Sequence, residues 1–255
     1  MPTPFYHLSV AEDILWTAVP VSPETHKFLL DQRPAFLFGN TAPDVQTVSG
    51  QAKEETHFFQ LHIQPETQPA WDAVLEQYPL LVEPASLSSE QAAFIAGYLC
   101  HLQADWMWIE EIFFPLFGPF CHWQSFRRRL YLHNVLRAYL DLQIFPNLNH
   151  GIGEALSNAD PQNWLPFVQD QDLLYWRDFL SKQLHPGAQV RTVEVFAARQ
   201  GIPPEAYYQL LHSEERLEQE VFTHINNQQL EEYRQRLLEA HAGLLEEYLS
   251  KVLLG

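Results

Sequence analysis

The chain is poor in the residues that shape disulfide frameworks, membrane spans and phosphate loops. Its 255 residues include only 10 glycines and two cysteines, Cys100 and Cys121. Two cysteines fit a reducing compartment and need not pair. No run of about 18 apolar residues occurs, which argues against a transmembrane span. A glycine-rich phosphate loop and a GxSxG nucleophile elbow are also missing.

Basic residues are scarce as well. The chain has 15 lysines and arginines but 32 aspartates and glutamates, so its formal net charge is −17 at pH 7. A field of this sign repels nucleic acid and anionic membrane surfaces, although a local patch can still bind either. We therefore expect no nucleic-acid partner. Because the first residues, MPTPFYHLSV, lack the basic start and apolar segment of a signal peptide, we expect a cytoplasmic protein.

The rest of the composition is that of a helical globular protein. Hydrophobic residues make up 46% of the chain, enough for a substantial core. Apolar side chains recur every three to four residues near both ends, in residues 8–19 and 228–253. Further helices are predicted from Ser22 or Pro23 onward and at 127–145, 170–183, 190–199 and 204–212. Glycine and proline interrupt the segment 33–47, RPAFLFGNTAPDVQT, which is interpreted as a loop. The predicted fold class is all-α.

A central helix is predicted around the stretch 96–111, AGYLCHLQADWMWIEE. Ser88 and Gln91 have the spacing of a capping box that begins this helix. Pro115 is expected to end it near Phe114. Because the helix is apolar almost all round, it should lie in the middle of the protein.

His101 and Asp105 lie one turn apart on this helix. Side chains at i and i+4 leave the same face and can meet one cation. Gly97, one turn earlier, removes side-chain bulk, so a backbone or a ligand can come close. The same spacing also fits a core histidine hydrogen-bonded to a nearby aspartate, and HxxxD alone does not decide between the two interpretations.

Three more residues decide in favour of a metal site. His7, Asp44 and His57 are each flanked by apolar residues and lie near turns or helix starts. Singly, each residue is more often structural than a ligand. Together with His101 and Asp105 they have the composition of a zinc site, in which imidazole nitrogens and carboxylate oxygens share one or two cations.

The order of the motifs PFYHL, FLFGNTAPDV, THFF and AGYLCHLQADWMW resembles the zinc-dependent phospholipase C family, a distant relative of the zinc-dependent single-strand nucleases. The resemblance covers roughly the first 110 residues and implies an all-helical bundle. In that family an early histidine, an aspartate in a G-N-x-A-P-D loop, a histidine after threonine and a G-Y-x-x-H-x-x-x-D helix build the metal site. The matching residues here are His7, Asp44, His57, His101 and Asp105.

The resemblance also implies roles. His57, His101 and Asp105 would hold one zinc. Asp44 would bridge it to a second zinc, bound also by His7, and would orient or deprotonate the attacking water.

Departures from the family concern the remaining ligands. The secreted members use the tryptophan at their mature N-terminus as a metal ligand. The sequence here begins with Met1 and Pro2, so we expect no ligand of that kind. Glu111 stands where a further histidine is expected, and the H-x-x-x-E pair is missing because Arg137 follows His133 at that spacing. Glu111 and His133 stay candidates for a third cation, which Glu110, His122 or Asp141 would complete. One to three zinc ions are therefore expected.

The expected activity is hydrolysis of a phosphoric ester, either a small molecule or a lipid head group. The alternative is a metal-binding helical protein with a binding or scaffold role and no turnover. A single-strand nuclease is disfavoured because no clear basic groove is evident. Four aromatic residues near the predicted centre are candidates for an apolar pocket wall, to which a quaternary ammonium group can bind: Phe58, Phe59, Trp106 and Trp108. The alternative is that these side chains are part of the hydrophobic core.

We expect a single domain over residues 1–255. Residues 1–145 would form the helical core with the metal site, and residues 146–255 a helical extension packed on it. This extension can shape a substrate pocket or a dimer surface, but a plain packing role is favoured.

Overall fold

One helix, Ser89–Trp108, is buried on almost its whole circumference. In the computed structural model, 16 of its 20 residues are buried. Ser88 caps the helix as predicted, because its Oγ accepts a hydrogen bond from the Gln91 N–H at 3.1 Å. The Gln91 side chain instead donates to the Trp164 carbonyl at 3.1 Å. Only half of the predicted capping box therefore forms, since Gln91 anchors a distant segment.

The structure describes residues 1–17, 19–60, 63, 67–148, 151–185 and 187–254. This part of the chain contains fourteen α-helices and no strand, which confirms the predicted all-α fold. The helices are α1 (Pro4–Trp16), α2 (Pro23–Asp31), α3 (Arg33–Gly39), α4 (Gln46–Ser49), α5 (Lys53–His57), α6 (Ala70–Gln77), α7 (Ser89–Trp108), α8 (Phe126–Ile144), α9 (Ile152–Ser157), α10 (Asp170–Gln183), α11 (Thr192–Gln200), α12 (Pro204–Leu211), α13 (Glu214–Leu217) and α14 (Asn227–Leu254). Among these helices, none combines the length and the apolar character that crossing a membrane requires.

The predicted end of the central helix at Phe114 is wrong. Helix α7 passes at Trp108 into a π-helical segment, Ile109–Phe117, which contains Pro115. In an α-helix the proline ring meets the carbonyl four residues earlier. The wider turn of a π-helix leaves room for the ring, so the chain continues past Pro115 before it leaves the helix at Gly118.

The interpretation of residues 33–47 as a loop is also wrong. Arg33–Gly39 forms α3, and a 3-10 turn over Ala42–Val45 follows it. Pro34 lies in the first turn of α3, where a missing N–H costs no helical hydrogen bond. The next four residues are fully or almost fully buried against α7. Tertiary packing therefore stabilises a helix that is too short to form alone.

Helix α3 crosses α7 at two glycines that allow their backbones to approach closely. A Cβ atom on Gly39 would lie 2.0 Å from the Phe94 carbonyl oxygen, and one on Gly97 would lie 2.3 Å from the Phe36 carbonyl oxygen. Both distances are far below van der Waals contact. The predicted close approach at Gly97 is therefore that of a backbone, namely α3.

The C-terminal half of the chain contacts this central pair directly. The Trp176 indole N–H donates to the Thr41 carbonyl at 2.8 Å, and the Tyr233 hydroxyl donates to the Ala104 carbonyl at 3.0 Å. Helices α10 and α14 thus bind backbone carbonyls close in sequence to Asp44 and Asp105.

Asp141 on α8 connects the start of α1 to the start of α11. The hydroxyl groups of Thr3 and Thr192 both donate to its buried carboxylate. Thr3 in turn accepts the Tyr6 N–H at the N-terminus of α1. Burial raises the pKa of Asp141 to about 7, against the opposite effects of the two hydroxyl hydrogen bonds and of Arg137.

We predict that Gly97→Ala lowers the free energy of unfolding by about 2–4 kcal/mol, because the new Cβ atom must push α3 away. The control is Gly243→Ala on α14, where nothing lies within 4 Å of the added Cβ. This change should raise stability by up to about 1 kcal/mol through helix propensity. Urea unfolding of both variants checks the prediction, and equal stability of the two variants would contradict it.

We predict a second effect, in the pH dependence of stability. The folded protein keeps a proton on Asp141 up to about pH 7, whereas the unfolded chain releases it near the ordinary pKa of 3.8. Stability conferred by this group is therefore lost as the pH rises from about 4 to 7. Relative to Asp141→Asn, the wild type should lose up to about 4 kcal/mol over this range. Urea unfolding at four pH values checks this, and a pH-independent difference would contradict it.

Candidate metal centre

Five of the predicted site residues lie close together in the structure, although four separate segments supply them. They are His7 on α1, Asp44 in the 3-10 turn, His57 at the end of α5, and His101 and Asp105 on α7. The three histidines and Asp105 are at most 1% exposed. The Asp44 side chain is 18% exposed. Asp44 is therefore the member of the cluster that a molecule from outside can reach.

Asp105 occupies the centre of the cluster. Its Oδ1 lies 3.4 Å from the His7 Nε2. Its Oδ2 lies 3.5 Å from the His57 Nε2 and 3.9 Å from the His101 Nε2. Asp44 stands to one side, with its Oδ1 3.6 Å from the His57 Nε2. The two oxygens of Asp105 thus face different histidines.

Hydrogen bonds on the far side of two rings orient the histidines. The His101 Nδ1 lies 2.9 Å from the Asn40 carbonyl oxygen, which can only accept, so Nδ1 carries the proton. The His57 Nδ1 lies 3.0 Å from the Thr56 Oγ1. The His7 ring stacks on His101 at a centroid distance of 3.8 Å. This arrangement leaves the Nε2 lone pair of His101 directed at the cluster, as in metal-binding histidines.

Several polar atoms of the cluster are buried without a hydrogen bond to any of the described residues. They are the Nε2 atoms of His7, His57 and His101 and both carboxylate oxygens of Asp105. An unpaired buried polar atom costs about 1–3 kcal/mol, and a buried charge costs more. Five such atoms within one cluster are too costly to be a packing accident. They fit zinc, which takes imidazole nitrogens and carboxylate oxygens as ligands.

Burial keeps two of the histidines neutral. Desolvation, followed by the neighbouring His101, lowers the pKa of His7 to about 4, against the opposite effect of Asp105. Desolvation, followed by Lys53, lowers the pKa of His57 to about 4, against the effects of both aspartates. Neutral imidazole is the form that binds a metal.

The two carboxyl groups are ionised. Burial alone would raise the pKa of Asp105, but Lys53 and the three histidines hold it well below its ordinary value. Burial likewise opposes ionisation of Asp44, whereas the adjacent His57 ring, followed by His101 and Lys53, holds its pKa below the ordinary range. The centre therefore combines neutral nitrogen donors with anionic oxygen donors.

The cluster divides into two groups of possible ligands within the described residues. One group is His7, His101 and Asp105, and the other is Asp44, His57 and His101. In each group the ligand atoms lie within 4.8 Å of one another. His7 and Asp44 do not share a group, in contrast to the predicted pairing of these two residues on a second zinc. Because His101 has one free nitrogen, it can serve only one of two ions.

Glu111 and His133 are not part of either group. The Arg236 guanidinium donates to the Glu111 Oε2 at 2.7 Å. The His133 Nε2 accepts the Trp108 indole N–H at 2.8 Å, and three aromatic rings surround the imidazole. Both residues thus have protein partners that compete with a cation, and the third metal site stays a prediction.

The structure adds residues that the sequence analysis missed. The Lys53 Nζ lies 3.5 Å from the Asp105 Oδ2. Its position four residues before His57, on the same face of α5, was the available signal. His241 on α14 lies behind the cluster, with its Nδ1 2.7 Å from the Gln103 Oε1. Burial, followed by His7 and His101, lowers the pKa of His241 to about 3.

Met1 also lies near the centre. Burial, followed by Arg137, lowers the pKa of its amino group well below the ordinary value. Asp105 and Asp44 act on this pKa in the opposite direction. The Lys53 Nζ lies 2.7 Å from the Met1 Sδ.

The aromatic residues considered for a pocket wall belong mostly to the core. Phe59 packs edge-on against His57 and Trp106, and all three side chains are buried. Trp108 is fully buried between Tyr6 and Tyr233. These rings hold the centre in place rather than line an open site for a quaternary ammonium group.

Comparison with known protein families agrees with this geometry. Residues 6–108 match the family model of zinc-dependent phospholipase C. The match confirms the predicted resemblance, and it includes all five clustered residues but neither Glu111 nor His133. No curated protein and no solved structure matches the chain.

We predict that a strong chelator lowers the melting temperature by about 5–10 °C and that added zinc restores it, because metal removal leaves the buried Asp105 charge to be balanced by Lys53, 3.5 Å away. Asp105→Asn should lose at least one metal equivalent and most of this shift. The surface variant Asp31→Asn, on α2, is the control and should keep both the metal and the shift in melting temperature. Plasma mass spectrometry measures the metal content, and calorimetry measures the melting temperature. An unchanged melting temperature after verified metal removal would contradict the prediction.

Proposed function

We propose that this protein is a zinc-dependent hydrolase of phosphoric esters. The observation that carries the proposal is the set of buried, unpaired Nε2 and carboxylate atoms around Asp105. The match of residues 6–108 to a family of zinc-dependent phospholipases C supports the same chemistry. We expect the substrate to be a small phosphoester or a lipid head group.

Asp105, rather than Asp44, is the better bridge between two cations. Its Oδ2 faces His57 and His101, and its Oδ1 faces His7. In this assignment His57, His101 and Asp105 would hold the first cation, and His7 with Asp105 would hold the second. Asp44 lies next to His57 and would add to the ligands of the first cation. A role for Asp105 toward both cations would also account for the lack of a hydrogen-bond donor to its oxygens among the described residues.

Asp44 is also our candidate for the general base, because His57, His101 and Asp105 would hold the first cation without it. Its carboxylate is ionised, partly exposed and adjacent to the cluster. A carboxylate in this position can accept a proton from the attacking water. When bound, zinc supplies Lewis acidity, which makes water more acidic and offsets negative charge on the phosphoryl oxygens. The protein contributes orientation, because the rings of His57 and His101 are fixed by hydrogen bonds.

The two cysteines support a reducing location such as the cytoplasm. Cys100 and Cys121 are both free, and burial raises the pKa of the Cys100 thiol, which makes it unreactive.

We predict that the zinc-loaded protein hydrolyses bis-p-nitrophenyl phosphate and that Asp44→Asn lowers the rate by about 10²–10⁴-fold, the usual contribution of a general base. The variant should retain the zinc held by His57, His101 and Asp105. Release of p-nitrophenol and metal content are measured together, with Asp31→Asn as the control. Turnover at the wild-type rate in Asp44→Asn would refute the assigned role. A zinc-loaded wild type without turnover would favour a binding or scaffold protein.

A further inference from the structure

A cavity beside Asp44 gathers basic residues, although the protein as a whole is acidic. It has a volume of about 70 Å³ and lies between the start of α1, the Asp44 turn, α8, α10 and α11. Three of the chain's 15 basic residues line it, namely Arg137, Arg191 and Arg199. Asp44 is the one acid among its lining residues. A single water needs about 10–15 Å³, so the cavity has room for a group as large as a carboxylate or a phosphate.

Arg137 is held in place but still has hydrogen-bonding capacity. Its guanidinium lies over the Phe196 ring at 4.3 Å and donates to the Asn134 Oδ1 at 3.0 Å and the Pro2 carbonyl at 3.3 Å. Its Nε–H is buried without an acceptor among the described residues. Burial lowers the pKa of Arg137 to about 10, against the opposite effects of three aspartates, so the side chain stays charged at neutral pH.

Arg191 immediately precedes α11, Arg199 lies in its last turn, and both line the same cavity. Both side chains are exposed, and the Arg199 Nη2 donates to the Thr47 Oγ1 at 3.2 Å. A guanidinium has five N–H donors, so one such contact leaves most of them available. Its planar geometry matches carboxylate and phosphate oxygens.

We propose that this cavity binds an anionic group of the substrate, so that the preferred phosphoester carries a second negative charge beside the phosphate that is cleaved. The substrate class rests on the hydrolase function proposed above. The cavity meets the metal centre at Asp44, so a bound anion places the rest of the molecule next to the cluster. Three positive charges favour an anionic substrate over one with a choline head group.

The test compares p-nitrophenyl phosphodiesters that differ only in the retained alcohol: ethanol, choline, 3-hydroxypropanoate or ethylene glycol monophosphate. The wild type should show at least about tenfold higher kcat/KM for one or both anionic diesters than for the ethyl diester. The carboxylate and phosphate diesters distinguish the two kinds of anion. A preference for the choline diester, or equal values for all four, would overturn the proposal.

Substitutions of the cavity arginines test whether the preference for anionic diesters arises in this cavity. Arg191→Gln combined with Arg199→Gln should lower the anionic-to-ethyl ratio by about tenfold, and Arg137→Gln should also lower it. Arg127→Gln removes one positive charge, as Arg137→Gln does, but from an exposed residue outside the cavity, and should leave the ratio as in the wild type. An unchanged ratio in the double variant would overturn the proposal even if hydrolysis is strong.

A binding measurement separates this inference from the hydrolase proposal. Inorganic phosphate should raise the melting temperature of the zinc-loaded wild type and of Arg127→Gln, and should do so less in the Arg191→Gln/Arg199→Gln protein. If no diester is hydrolysed but this difference is found, the hydrolase proposal fails and the anion site stands. Equal stabilisation of all three proteins would overturn the anion site.

Discussion

The close approach of two backbones, at Gly39 and Gly97, sets the position of the metal centre. Helix α3 lies against α7 without an intervening side chain, so the Asn40 carbonyl reaches the His101 Nδ1 at 2.9 Å. The turn after α3 then places Asp44 beside His57. A side chain at either glycine would separate the helices. The tautomer of His101 and the location of Asp44 both depend on this one packing contact.

The same centre is electrostatically unfavourable without a cation. Asp105 is ionised and buried, and within the described part of the chain it has no hydrogen-bond donor and one ion pair with a lysine or arginine, Lys53 at 3.5 Å. Burial of one such charge costs several kcal/mol, a large fraction of the net stability of a typical protein. The buried apolar side chains of α7, the helix that carries Asp105, supply hydrophobic stabilisation that offsets this cost. A protein keeps such a cluster for what it binds, because a neutral core would be more stable.

The sequence predicts the proximity of the five clustered residues, because the motifs around them are local and specific. The sequence does not predict which of the five side chains contact one another. His7 contacts Asp105, not Asp44, since the facing of side chains depends on how α1 docks on α7. The helix at 33–39 was missed because burial outweighs the signals of glycine and proline there. Arg236, which binds Glu111, lies 125 residues away in the chain, and no local pattern reveals such a contact.

In our proposal the C-terminal extension, residues 146–255, does more than pack against the helical core. We propose that residues 1–255 form a single domain, because α10 and α14 donate hydrogen bonds to the backbone carbonyls of Thr41 and Ala104, which are close in sequence to Asp44 and Asp105. The extension also supplies one wall of the cavity beside Asp44, including Arg191 and Arg199. Residues 1–145 contain every clustered ligand, yet they contribute only one of the three cavity arginines, Arg137. In our proposal the first half of the chain therefore carries the chemistry, and the second half, together with Arg137, would set its substrate preference.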